Sequence, residues 1–381
     1  MAVASLSLAQ KDERERLSAL QHYQQSLGNL KNAEDLSSDG AFLTHFLLLI
    51  YEVSYTDGFS TLSDSAQIAA ADADHANMWT HHLSTLFQIS LLRREVYGGE
   101  RFPFIVWWIC QIDLCALFAT SANGEFVGSM LRQDLIPPPS FHLHPLGLDG
   151  SSVVYREERE TLPTILQLDY EVTILAVRLA LLAQEFRQER EDIQQKALSI
   201  KLRQSRIFKL QEALRQLWIA PAVLMVSQRV DAFPVRSKQL WEHATTWYRA
   251  CIIYSHTSMW PGQRLDTSAD FDTEIAIASS QILQTAQKAF SNGQLHCRFL
   301  AFPIFMAGYA SVDGTQKMKA LHLIGMMEQE SVGRNTMAAK RGLSLVYDEQ
   351  TEQFMNTGHS LGVDWMDVLR EQGVMVVNFG L

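Results

Sequence analysis

Residues 166–186 read LQLDYEVTILAVRLALLAQEF. Apolar side chains recur three and four positions apart, and they also fill most positions between. Up to Ala183 the segment is therefore apolar around most of its circumference. A strand of that length would be exceptional. The pattern predicts a helix resuming from Pro163 and buried near the centre of the molecule. The next twenty or so residues, RQEREDIQQKALSIKLRQSR over 187–206, mix charges of both signs at i,i+4 spacing. Such a run predicts a solvated helix face.

The same period extends in both directions. KLQEALRQLWIAP (209–221), QLWEHATTWYRACIIYSHTSMW (239–260) and IAIASSQILQTAQKAF (275–290) each read as helix. Pro221 stops the first and Pro261-Gly262 the second. Towards the N-terminus, FPFIVWWICQIDLCALFAT (102–120) is an apolar helix with Pro103 in its first turn. ADADHANMWTHHLSTLFQISLLRREV (71–96) clusters Trp79, His82, Leu83, Leu86 and Ile89 on one face. AFLTHFLLLIYEV (41–53) is apolar on nearly all sides. ALQHYQQSLGNL (19–30) spaces Leu20, Tyr23, Leu27 and Leu30 helically, with Asp39 and Gly40 as punctuation before the next helix. Residues 134–152, DLIPPPSFHLHPLGLDGSS, carry four prolines and predict a long loop or a seam between helical layers near 134–160. Only the tail VMVVNFGL (374–381) has a pattern suited to local pairing of extended chain. The expectation is one all-α domain over 1–381, an irregular array of antiparallel helices.

The composition sets bounds on function. Of 381 residues, 47% are hydrophobic and 19% charged, which is a globular balance. The net charge of −10 is a poor match for a phosphate backbone, so no direct DNA binding by this chain alone is expected. Cys110, Cys115, Cys251 and Cys297 form no C-x2-C pair and lack zinc-ligand spacing, and they suit a reducing compartment. The start, MAVASLSLAQKDERERL, has no signal-peptide core. The longest apolar run, Phe42 to Val53, is too short to cross a bilayer. A soluble, intracellular protein with no membrane partner is expected.

No G-x-x-x-x-G-K-[ST], G-x-G-x-x-G or G-x-S-x-G motif occurs, so nucleotide-binding and hydrolase readings have no support. Asp72, His75 and His82 would share a helix face and are the nearest approach to a metal site. Asp72 and Asp74 suit a helix start better, so no metal and no cofactor is assigned. His142 and His144 sit in the proline-rich loop without an identifiable nucleophile or carboxylate. No catalytic residue is named, and the chain reads as more nearly a non-enzyme. Asp113 on its apolar helix needs a partner, and Arg101 and Arg132 are the candidates. Trp241, Trp247, Tyr248, Tyr254 and Trp260 form an aromatic stretch with the spacing of a core. Met326, Met327 and Met337 could form an adaptable surface, although core is the simpler reading. The ligand-pocket candidates are Trp79, His82, Trp107, Trp108, Asp113, Trp247 and Tyr248.

Several segments in order resemble a known family. They are Leu47–Leu49 with Tyr51 and Glu52, MWTHHL with Trp79, His82 and Leu83, and FIVWWICQIDLCAL with Trp108 and Asp113. FPIFMAGYAS with Pro303 to Gly308 and VDWMDVLREQG around Trp365 complete the set. Each is weak alone. Together they resemble the fungal-specific transcription factor regulatory domain, which in its family follows a six-cysteine zinc cluster. No such cluster occurs in these 381 residues. The resemblance implies a transcriptional regulatory and interaction domain, without its own DNA reader, acting in the nucleus. It implies a homodimer or other transcription regulators as partners, a small-molecule effector, and control of a metabolic or secondary-metabolite pathway. The alternative expectation is a small-molecule-binding protein or enzyme of secondary metabolism on the same helical fold. The expected location is the nucleus, with the cytoplasm as the alternative.

Overall fold

The computed structural model describes residues 14–31, 35–55, 78–142, 155–188, 196–260, 263, 269–292, 300–328, 335–358 and 363–379. Its regular elements are all helical among these residues. In chain order the α-helices are α1 (Arg14–Lys31), α2 (Asp39–Tyr55), α3 (Met78–Tyr97), α4 (Pro103–Phe118), α5 (Glu125–Arg132), α6 (Leu162–Gln188) and α7 (Lys196–Trp218). They continue as α8 (Pro221–Ser227), α9 (Val235–Thr257), α10 (Ala269–Ser291), α11 (Ala301–Ala310), α12 (Gly314–Glu328), α13 (Asn335–Thr357) and α14 (Trp365–Glu371). Short 3-10 turns occur at Pro139–His142, Arg156–Glu158 and Val230–Ala232. No described helix is long and apolar enough to cross a membrane.

The central helix expected from residues 166–186 is α6. Residues 172–177 are buried consecutively, which in a helix means burial on every side. It packs against α4, α5, α7, α8 and α9. On one side of it, α2 pairs with α3, α3 with α5, and α5 with α4. On the other, α9 leads to α10, α11, α12 and α13 in a succession of neighbouring helices. One contiguous apolar cluster runs from Phe42 to Phe379 through both sides. Tyr23 of α1 stacks on Tyr51 of α2 with ring centroids 4.6 Å apart, in a smaller cluster of its own.

Helix α11 is the inner counterpart of α6, since all ten of its residues are buried. Its Gly308 lets α12 and α13 approach. A Cβ there would lie 2.7 Å from the Ala320 Cβ and 2.6 Å from the Tyr347 hydroxyl. The tail beyond α14 makes no sheet with described residues. Instead the Asn378 side chain donates to the Ile112 carbonyl (2.7 Å), and its backbone N–H donates to Asn335 Oδ1 (3.3 Å). Asn335 Nδ2 in turn donates to the Val53 carbonyl at 2.9 Å. Buried amide groups thus tie α2, α4 and α13 to the C-terminal tail.

Some local expectations need correction. α2 is not apolar-buried all round, because Leu47 is 49% exposed. The charged run after α6 is not wholly solvated. Arg203 is buried, with its guanidinium 5.4 Å from the Phe186 ring and a hydrogen bond to the Phe186 carbonyl. The long stem and flat head of arginine make that possible. α9 ends at Thr257, ahead of Pro261-Gly262, which lie outside the described residues. Pro221 does more than stop α7: it occupies the first turn of α8. Asp72, Asp74, His75, His144 and Cys297 fall outside the described residues.

Candidate functional site

A cavity of about 790 Å³ opens between α6 and α9, and α4, α10 and the Arg156–Glu158 turn close its sides. Helical spacing explains which residues reach it. Leu162, Leu166 and Asp169 lie three and four apart on α6, and Arg236, Leu240 and His243 do the same on α9. Trp107 of α4, Ala289 of α10 and Leu300 add apolar wall.

The polar groups of this cavity are held in place. Glu158 is 2% exposed, and Arg236 grips its carboxylate through Nη2 (2.6 Å) and Nε (3.1 Å). The Tyr155 backbone N–H also donates to Glu158. Asp169 accepts from His243 Nδ1 at 2.9 Å, which orients the imidazole. Lys288 pairs with Glu242 at 3.2 Å. Trp107 is braced between Phe141 and Tyr170, with ring centroids 5.9 and 6.0 Å away. An apolar cavity with a few preorganised polar groups is suited to binding a small molecule and fixing its orientation.

The residues anticipated for a pocket do not converge on one place. Trp107 lines the 790 Å³ cavity. Asp113 borders a second one of about 480 Å³, together with His81, Ser84 and Glu125. Tyr248 borders a third, of about 660 Å³. Trp79 and Trp247 are core residues at 2% and 3% exposure, and Trp108 meets Phe46 edge to face at 5.9 Å. His82 faces His45, Nδ1 to Nδ1, at 3.3 Å. Burial first, and then the neighbouring His45, push the His82 pKa down to about 4, so the ring is neutral near pH 7. Trp241 and Tyr254 are also buried in the core. So is Met327, while Met326 packs against the core's edge.

Asp113 does not pair with Arg101 or Arg132. Arg101 reaches Asp39, and Arg132 reaches the Ser129 hydroxyl. Asp113, fully buried, accepts the Val127 backbone N–H at 2.8 Å and is also bonded by that of Phe126. These are otherwise orphaned donors of the first turn of α5. Gly124 precedes them in a left-handed conformation, φ 60°, that suits glycine. Burial outweighs the two N–H bonds and raises the Asp113 pKa to about 7.

Glu158, Asp169, Arg236 and His243 were not anticipated. Asp169 carried a signal, as an acid in line with Leu162 and Leu166 on the long central helix. His243 lies four residues before Trp247, on a stripe whose aromatic residues are its most conspicuous feature. Their meeting depends on α6 pairing with α9, which spacing within each helix does not reveal.

Comparison with curated proteins and with solved structures returned no match. A family model described as the fungal specific transcription factor domain matches residues 1–377.

Proposed function

Because the chain belongs to the fungal specific transcription factor domain family, we propose that it is the regulatory and interaction domain of a zinc-cluster-type transcription factor, working in the nucleus. The family match over residues 1–377 carries this reading, since it takes in every helix described above. In this reading the 381 residues leave the reading of DNA to another segment or partner, in keeping with a net charge of −10. The domain acts as a homodimer or with other transcription regulators, on genes of a metabolic or secondary-metabolite pathway.

The 790 Å³ cavity supports a small-molecule effector as the input. A ligand wedged between α6 and α9 would favour one packing of these helices over another, and that population shift would be the regulatory signal. The enzyme reading of the same cavity has an acid–base candidate in His243, held by Asp169, but no assigned nucleophile.

Chromatin immunoprecipitation of the tagged protein in its native host, with transcript profiling after gene deletion, tests the proposal. Enrichment at promoters whose transcripts change on deletion is the expected result. If no promoter is enriched and transcripts are unchanged while a metabolite accumulates or disappears, the regulatory reading is wrong.

A further inference from the structure

The third cavity, of about 660 Å³, lies between α7, α9 and α10, away from the Asp169–His243 pair. Its charge is of the opposite kind. The larger cavity is bordered by the carboxylates of Glu157, Glu158, Asp169 and Glu242. The third is bordered by Arg215, Arg249 and a single acid, Glu274. Glu274 is already engaged, by Arg215 at 3.1 Å and by His256 at 3.7 Å.

That leaves Arg249 without a carboxylate partner among the described residues. Its Nε donates to the neutral amide oxygen of Gln281 at 2.6 Å, and its guanidinium lies 5.8 Å from the centre of the Trp218 ring. Trp218 is stacked on Tyr248, with centroids 4.9 Å apart and planes 15° from parallel. Burial pushes the Arg249 pKa below its ordinary value, as it does for a cation with no counter-charge. A partly buried cation whose direct contacts are neutral is an unfavourable arrangement that a bound anion would relieve. A guanidinium suits a carboxylate by geometry as well as by charge.

We propose that the cavity between α7, α9 and α10 binds a small organic carboxylate with a planar apolar body. Arg249 is the counter-ion of the carboxylate. The Trp218–Tyr248 stack and Ile252 supply the surface for the apolar body. The site stands independently of the regulatory reading, because it is a property of the isolated chain that can be measured without transcription.

Isothermal titration calorimetry on the full chain tests it, with phenylacetate, its uncharged analogue phenylacetamide, and inorganic phosphate as probes. Saturable binding of phenylacetate is expected, with phenylacetamide weaker by about tenfold or more, as loss of a charge-assisted hydrogen bond dictates. Arg249→Gln should cause a similar loss and Arg249→Lys a smaller one. Ile277 is 52% exposed at the cavity edge, so Ile277→Glu can be made without disturbing the core. It should weaken phenylacetate by repulsion and leave phenylacetamide unchanged, which separates a charge effect from misfolding. Absence of saturable phenylacetate binding overturns the proposal. So does equal affinity for acid and amide, indifference to Arg249→Gln and Ile277→Glu, or phosphate binding as tightly as phenylacetate.

Discussion

Asp113 is buried inside α4, yet it organises the next helix. Its carboxylate collects the first N–H groups of α5, and its pKa of about 7 lies well above the ordinary 3.8. The sign of the consequence is fixed. Between those two values the folded protein holds a proton that the unfolded chain has lost, so stability from this group is complete below the ordinary pKa and is lost as pH rises to about 7. His82, pushed down to about 4, acts the other way, losing stability as pH falls below 6.5. Comparison with Asp113→Asn separates the two, since asparagine keeps an acceptor for Val127 and cannot ionise. Relative to that variant, the wild type should lose about 2–3 kcal/mol between pH 5 and pH 8. Urea unfolding of both proteins across this range reads the difference, and a gap that stays constant with pH would show that Asp113 is not the titrating group. The need of Asp113 for a partner was legible in an apolar run of sequence. The partner was not, because backbone N–H groups leave no trace in residue type.

At the scale of elements, the helices were legible where one side of the period is buried or where none is exposed. α6 and the Trp79-to-Ile89 face of α3 follow directly from the spacing of their side chains. A proline can serve two roles, as Pro221 does: α7 ends ahead of it as expected, and it also opens α8, which residue spacing did not reveal. Helix pairing was not legible. Gly308 shows why: its importance is in what lies across from it, on α12 and α13. Gly308→Val should push these helices apart and cost about 1–3 kcal/mol, the usual penalty of overpacking a filled core. Thermal melting checks this, and an unchanged midpoint would mean that the α11 contacts are looser than described. The candidate site was invisible for the same reason, since Asp169 and His243 belong to different helices and are 74 positions apart.

For the whole molecule, the C-terminal tail is the clasp. Asn378 reaches α4 and α13, and Asn335 carries the link to the end of α2. Trp365 adds a buried hydrogen bond from its indole nitrogen to the Ser258 hydroxyl at 3.0 Å. Asn378→Ala should therefore cost about 0.5–1.5 kcal/mol, as expected when one buried hydrogen bond is lost. The damage should appear far away in sequence, as faster amide hydrogen exchange around Ile112 in α4. Exchange that quickens only near the tail would show that these amides do not hold the halves together. A clasp of this kind matters for a regulator, because helices that share one core shift their packing together.

Control of transcription by this chain, with the 790 Å³ cavity as its input, is most directly tested by tethering. All 381 residues, fused to an unrelated DNA-binding module, would be placed upstream of a reporter in a fungal host. A fusion carrying Ala289→Leu, which adds bulk to the cavity wall, would be measured beside it. The wild-type fusion should change reporter transcription severalfold relative to the module alone, and the filled variant, melting within a few degrees of it, should lose that change. Reporter output equal to that of the bare module for both fusions would contradict the account.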